Sequence, residues 1–71
     1  MSTQQMIELQ ALAAKCSMRV GQLISNAVGE HIKSSRNVVP TDAAIGNALY
    51  YIEDDELVKV SREFVAGYLG S

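Results

Sequence analysis

The stretch of residues 19–33, RVGQLISNAVGEHIK, constrains the fold most, because its residues sort onto three faces of one helix. Its apolar residues recur with the i, i+3, i+4 and i+7 spacing of an amphipathic helix. They are Val20, Leu23, Ile24, Ala27, Val28, His31 and Ile32. A second face carries only small residues, Gly21, Ser25 and Gly29. The third face is polar and consists of Arg19, Gln22, Asn26, Glu30 and Lys33. The pattern predicts a central helix with more faces than one short chain easily covers.

Capping residues predict where the first two helices begin. Ser2 followed three residues later by Gln5 is typical of a capping box, so a first helix is predicted over residues 3–15. Ser17 offers an N-cap for the central helix. Because only a residue or two then separates the two helices, the chain should open with a tight helical hairpin or corner.

The second half predicts two further helices. Residues 33–40 (KSSRNVVP) interrupt the helical pattern and predict a loop, with Val38 and Val39 extended ahead of Pro40. Thr41 is a candidate N-cap for a third helix running to about residue 51. The β-favouring residues within 47–52 leave a short strand as the alternative there.

A fourth helix is predicted to follow the acidic run 53–56 and to reach about residue 69, with Ile52 and Leu57 forming a hydrophobic staple around the acids. Its expected buried stripe is Leu57, Val60, Phe64 and Tyr68, flanked by Ser61 and Val65. The predicted fold is therefore a single all-α domain over residues 1–71, a small bundle of about four short helices.

Composition limits the classes of protein that fit. The single cysteine, Cys16, excludes an internal disulfide and a cysteine-based zinc site. No apolar run approaches the roughly 18–20 residues that cross a bilayer. The first residues also lack the basic region followed by an apolar region that is typical of a signal peptide. A soluble protein of a reducing cytoplasm is expected.

The formal net charge is −2, but the charges are unevenly distributed. Residues 1–39 carry four basic and two acidic side chains, whereas residues 40–71 carry two basic and six acidic ones. Such a chain can pair its halves internally or between subunits. It lacks the clustered Lys and Arg that nonspecific nucleic-acid binding requires.

Catalytic and metal constellations are weak. A nucleophile would require Cys16 to be activated by His31, with Asn26 as the orienting residue, but Cys16 and His31 belong by spacing to apolar faces. The acids at 53–56, even with Asp42, lack the alternating ligands and central glycine of a calcium loop. No phosphate loop or nucleophile elbow occurs. A non-enzymatic protein with no metal and no cofactor is expected.

Two surface features remain as candidates for contact with a partner. Tyr50 and Tyr51 are adjacent, so on a helix they point about 100° apart and at least one is expected to be exposed, unless both are half-buried. The row of Gly21, Ser25 and Gly29 predicts close helix packing, either within the chain or with a second subunit.

The segment LQALAAKCSMRVGQLISNAVGEHIKS resembles the two-helix part of ribbon-helix-helix regulators. The matching positions are Leu12 and Ala13, the turn residue Ser17, and then Leu23, Ile24 and Ala27. That family binds DNA through a basic N-terminal β-ribbon, which the opening residues MSTQQ do not provide. The resemblance therefore implies a dimer built on the hairpin rather than DNA recognition. The combination of RVGQLISNA with YYIEDDEL is also similar to short uncharacterised proteins of bacteria and their phages.

We therefore predict a small interaction or regulatory module, a homodimer or higher oligomer, that binds and occludes a protein partner. The predicted contact residues are Arg19, Gln22, Asn26, Tyr50 and Tyr51. A DNA-binding regulator that uses the hairpin is the first alternative. A structural subunit of a larger assembly is the second.

Overall fold

Within residues 1–36 and 39–70, which are the residues that the computed structural model describes, the chain forms four α-helices and no strand. The helices are α1 (Thr3–Lys15), α2 (Val20–Arg36), α3 (Asp42–Tyr51) and α4 (Asp54–Gly70). The predicted all-α bundle of about four helices is confirmed. The strand alternative for residues 47–52 is wrong, since α3 continues to Tyr51 and only its C-cap, Ile52, is extended.

Local hydrogen bonds begin α1 and α3 where the capping residues predict. The Ser2 hydroxyl accepts from the Gln5 backbone N–H at 3.1 Å, and the Gln5 side chain accepts from the Ser2 N–H at 2.9 Å. The predicted capping box is therefore confirmed. The Thr41 hydroxyl caps α3 in the same way, accepting from Ala44 N–H at 3.1 Å. Each bond satisfies a backbone donor that the first turn of a helix leaves unpaired.

Ser17 does not cap α2, so that prediction is wrong. It lies past the end of α1 with a φ of 56°, in the left-handed region. Its N–H bonds the Ala14 carbonyl at 3.1 Å and Met18 N–H bonds the Ala13 carbonyl at 2.9 Å, the Schellman arrangement that ends many helices. The first helical residue of α2 is Val20, and the Arg19 carbonyl accepts from Leu23 N–H.

The interruption after α2 is shorter than predicted. The helix runs through residues 33–36 to Arg36, because serine weakens a helix without breaking it and Pro40 lies beyond its end. Of the valine pair expected to be extended, Val38 lies outside the described residues. Val39 is exposed in the connection to α3.

Two apolar clusters hold the bundle together. The first, here called the α1 cluster, joins α1, α2 and α4 through Leu12, Ala13, Cys16, Leu23 and Val65. The second, the α3 cluster, consists of Val28, Ile32 and Leu57, with partly buried residues of α3 packed against it. Because Leu23 lies near Val65 and Val28 near Leu57, α2 and α4 are antiparallel.

The buried face of α4 is displaced from the predicted stripe. Leu57 and Val60 are buried as expected, but Phe64 is only half-buried and Tyr68 is 51% exposed. Val58, Ser61 and Val65 are buried as well. The reason is that α4 packs against both α1 and α2, so its apolar contact is wider and turned toward α1. Ile52 packs against the α3 cluster with Leu57, which agrees with the expected staple.

Polar contacts fasten α1 to α4. The Arg62 guanidinium donates to both carboxylate oxygens of Glu8, with Nη2 to Oε1 at 2.8 Å. The Gln5 amide donates to Asp55 Oδ1 at 2.7 Å, and the Met1 amino group lies 2.9 Å from Asp54 Oδ2. The hydrogen bond from Arg62 lowers the pKa of Glu8 below its ordinary value, and the opposite charge acts in the same direction.

Candidate functional site

Three of the polar residues predicted for the central helix form an exposed row at the N-terminal end of α2. We call Arg19, Gln22 and Asn26 the amide row; all three are exposed. The Asn26 amide donates weakly to the Met18 sulfur at 3.7 Å. Within the described part of the chain, the side chains of Arg19 and Gln22 make no hydrogen bond or ion pair. Their polar groups are thus available to a partner.

The small-residue row beside it is covered at one end and open at the other. A Cβ atom at Gly29 would lie 3.5 Å from Ile45 Cδ1 and 3.6 Å from Pro40 Cβ, so α3 packs closely there. A Cβ atom at Gly21 would meet no such neighbour within 4 Å, and Ser25 is exposed. The close approach predicted for this row therefore occurs within the chain at Gly29, while the surface at Gly21 and Ser25 is uncovered.

The tyrosine pair, Tyr50 and Tyr51, ends α3. Tyr50 is 83% exposed and Tyr51 is 72% exposed, so both rings lie in solvent. Their centroids are 5.0 Å apart at an interplanar angle of 75°, an edge-to-face contact. The alternative of two half-buried rings is therefore wrong.

The tyrosine pair and the amide row lie at different heights on α2. Tyr51 lines a cavity of about 170 Å³ together with His31 and Ile32. These two residues follow Gln22 and Asn26 by five to ten positions, which corresponds to roughly 8–15 Å along the helix axis. Within the described residues, the structure does not bring the tyrosine pair and the amide row together: neither cavity that Tyr51 or His31 lines includes a residue of the amide row.

Sequence reasoning missed a groove between α2 and α4 with a volume of about 430 Å³. We call it the acidic groove because Glu30 of α2 and Glu63 of α4 both line it. Phe64 and Tyr68 also line it, with stacked rings whose centroids are 6.0 Å apart. The sequence could not predict the groove because helical spacing does not show that the buried face of α4 is displaced. This displacement leaves two aromatic residues of the expected core stripe at the groove.

His31 lies between the two cavities and contributes to the lining of both. Its Nε2 atom is 3.9 Å from Glu56 Oε1, and both side chains are well exposed to solvent. This contact joins α2 to the first turn of α4. It is a surface ion pair when the imidazole is protonated, and such pairs contribute little to stability.

The residues considered for catalysis are not assembled. Cys16 is buried in the α1 cluster among Leu12 and Leu23, whereas His31 lies about two turns beyond Leu23 and faces Glu56. Burial in apolar surroundings makes a thiol inert.

The acidic run at the start of α4 has structural contacts. Asp54, Asp55 and Glu56 reach the Met1 amino group, the Gln5 amide and His31 respectively. Their charge also suits the N-terminal end of a helix dipole. Among the described residues, no group of three or more His, Cys, Asp or Glu side chains is placed to hold a metal ion.

The chain matches no protein-family model, no curated protein and no solved structure. Within the described ranges, no helix is both long and apolar enough to span a membrane.

Proposed function

We propose that this protein is a small non-enzymatic interaction module, which binds a protein partner through the amide row and the tyrosine pair. The observation that carries the proposal is the exposure of two adjacent tyrosines, of 83% and 72%. Large aromatic side chains are enriched at protein interfaces because they bury much apolar area at low entropic cost. In this bundle they add nothing to the core.

The α2 surface supplies polar groups and a close approach to the backbone, which aromatic side chains alone do not provide. Gln22 and Asn26 offer amide donors and acceptors, and Arg19 adds a charged donor. At Gly21 and Ser25 the helix carries almost no side-chain bulk, so a helix of the partner or of a second copy can approach the backbone closely. Aromatic anchors with neighbouring polar groups are the usual composition of an interface hot spot and its rim.

The proposed mechanism is occlusion. The module covers a surface of its partner, and the acidic start of α4 lies at the edge of the contact. Such a role requires a preformed surface and no chemistry. The folded helices provide that surface without a large ordering cost on binding.

The test is capture of a partner from a lysate of the native host, followed by identification of the captured protein. Gln22→Ala combined with Asn26→Ala should abolish capture, because it removes the amides that would otherwise be paired at the interface. The melting temperature should stay within about 2 °C of the wild type, since both side chains are exposed.

A matched control is Gln4→Ala combined with Gln10→Ala, which removes two exposed glutamines from α1. Capture should persist in this variant. Capture that survives the change at Gln22 and Asn26 unaltered would contradict the assignment of the amide row. Salt-sensitive binding to duplex DNA would instead favour the regulator alternative.

A further inference from the structure

The acidic groove differs from the proposed docking surface in both shape and charge. It is concave, with a volume of about 430 Å³, which is in the range of roughly 300–1,000 Å³ typical of ligand pockets. Its buried lining residues, Ala27 and Val60, make its inner part apolar. Its two walls come from different helices, and each wall contributes one glutamate.

The charge of the groove is uncompensated within the described part of the chain. Glu30 and Glu63 are both exposed, and neither is in an ion pair with a described residue. Lys33 lies one helical turn after Glu30, and Lys59 lies one turn before Glu63. Neither lysine lines the groove. A cationic group that enters would therefore meet carboxylates from two sides.

The aromatic rings make the groove selective among cations. Phe64 and Tyr68 both line the groove, and their rings are stacked at an interplanar angle of 26°. A guanidinium can stack on an aromatic face while donating two parallel hydrogen bonds to a carboxylate. An ammonium is a compact point charge and lacks the planar geometry for both contacts.

We infer that the acidic groove is a second binding site, which takes an arginine-bearing apolar segment of a protein partner. Apolar side chains of the segment lie against Ala27 and Val60, and its arginine lies between the aromatic pair and the glutamates. A second copy meeting the groove through its own groove would bring like carboxylates together, which disfavours that occupant.

The experiment uses three synthetic 12-residue peptides with acetylated and amidated ends, identical in their leucine and alanine positions and carrying arginine, lysine or glutamine at two others. Binding to the full chain is measured by calorimetry, and the site is located by NMR shift changes. The arginine peptide should bind about 3–10 times more tightly than the lysine peptide, and the glutamine peptide should bind most weakly.

Glu30→Gln combined with Glu63→Gln should lower the affinity for the arginine peptide at least tenfold. The control, Asp42→Asn combined with Glu53→Gln, removes two carboxylates from outside the groove and should change its affinity less than twofold. Tyr68→Leu should remove the preference for arginine over lysine. Melting curves establish that each variant is folded.

The inference would be overturned if the groove variant and its control lost equal affinity for the arginine peptide, or if the three peptides bound equally well. It would also be overturned if no peptide showed saturable binding at millimolar concentration, or if the NMR shift changes were located away from the groove. A concentration-dependent dimer that Tyr68→Leu dissociates would also overturn it, by showing that a second copy occupies the groove. The test is independent of the amide row, because neither groove variant alters Gln22 or Asn26.

Discussion

The two outer helices of the bundle are attached very differently. α1 contributes three buried residues, Leu9, Leu12 and Ala13, and makes polar contacts to α4 through Gln5 and Glu8 in its first half. α3 contributes no buried residue, and its apolar side chains are only partly covered. One helix therefore completes the core, whereas the other lies over its edge and leaves the tyrosine pair in solvent.

The difference follows from where each helix packs. α1 contacts both α2 and α4, while α3 packs chiefly on α2. A helix in contact with two others can bury a broad face, but a ten-residue helix on a single neighbour buries a narrow one. Since helical stability in proteins depends mainly on tertiary packing, α3 should be the less stable of the two.

The largest expected effect is a difference in lost stability between one substitution in the α1 cluster and one in α3. Leu23→Ala, at a residue with 0% exposure in the α1 cluster, should lower the free energy of unfolding by about 3 kcal/mol. Ile45→Ala in α3 should cost about 1 kcal/mol, because that side chain is only partly buried. Urea denaturation measures both, and equal losses would remove the distinction between the two clusters.

Features set by local chemistry were the ones that the sequence predicted. Ser2 with Gln5 and Thr41 act on backbone groups within one turn, so their roles can be read from spacing alone. The role of Ser17 was predicted wrongly because a short polar residue between two helices can either cap the next helix or end the previous one. Which of the two occurs depends on how the helices pack in the folded chain.

Features set by packing were predicted less well. Phe64 and Tyr68 share helical spacing with Leu57 and Val60, so periodicity places all four residues in one stripe. Only the position of α1 shows that the buried face turns toward Val58 and Val65. Gly21 and Gly29 likewise look equivalent in sequence, but α3 reaches only Gly29. The acidic groove follows from the displaced buried face of α4, which leaves Phe64 and Tyr68 at the groove, and no local sequence pattern predicts it.

A smaller effect is expected at the corner between α1 and α2. Ser17 adopts a left-handed conformation that favours glycine, so Ser17→Gly should raise the free energy of unfolding by about 1 kcal/mol. Ser25→Gly, at an exposed helical position of α2, should lower it by about as much and serves as the control. A loss of stability in Ser17→Gly would show that the corner is not strained.

The smallest expected effect is the pH dependence of the contact between α1 and α4. The pKa of Glu8 is lowered in the folded state, so its stabilisation is present above the ordinary value of 4.5 and disappears as the pH falls through the lowered value. At neutral pH, Glu8→Gln should reduce the melting temperature by roughly 1–3 °C. In strong acid, wild type and variant should melt together.

Glu53→Gln controls for the loss of an exposed carboxylate outside this contact, and its melting temperature should match the wild type at neutral pH to within about 1 °C. A difference between wild type and Glu8→Gln that persists unchanged in acid would mean that the carboxylate charge at position 8 does not fasten α1 to α4.

Native-state hydrogen exchange followed by NMR tests the contrast between the outer helices most directly. Amide protons in the middle of α1, at residues 9–13, should exchange nearly as slowly as those of α2 around Leu23. Amide protons in the second half of α3, at residues 47–51, should exchange at least tenfold faster, because that helix opens without unfolding the α1 cluster. Equal protection of α1 and α3 would contradict the account, since α3 would then be part of one cooperative core.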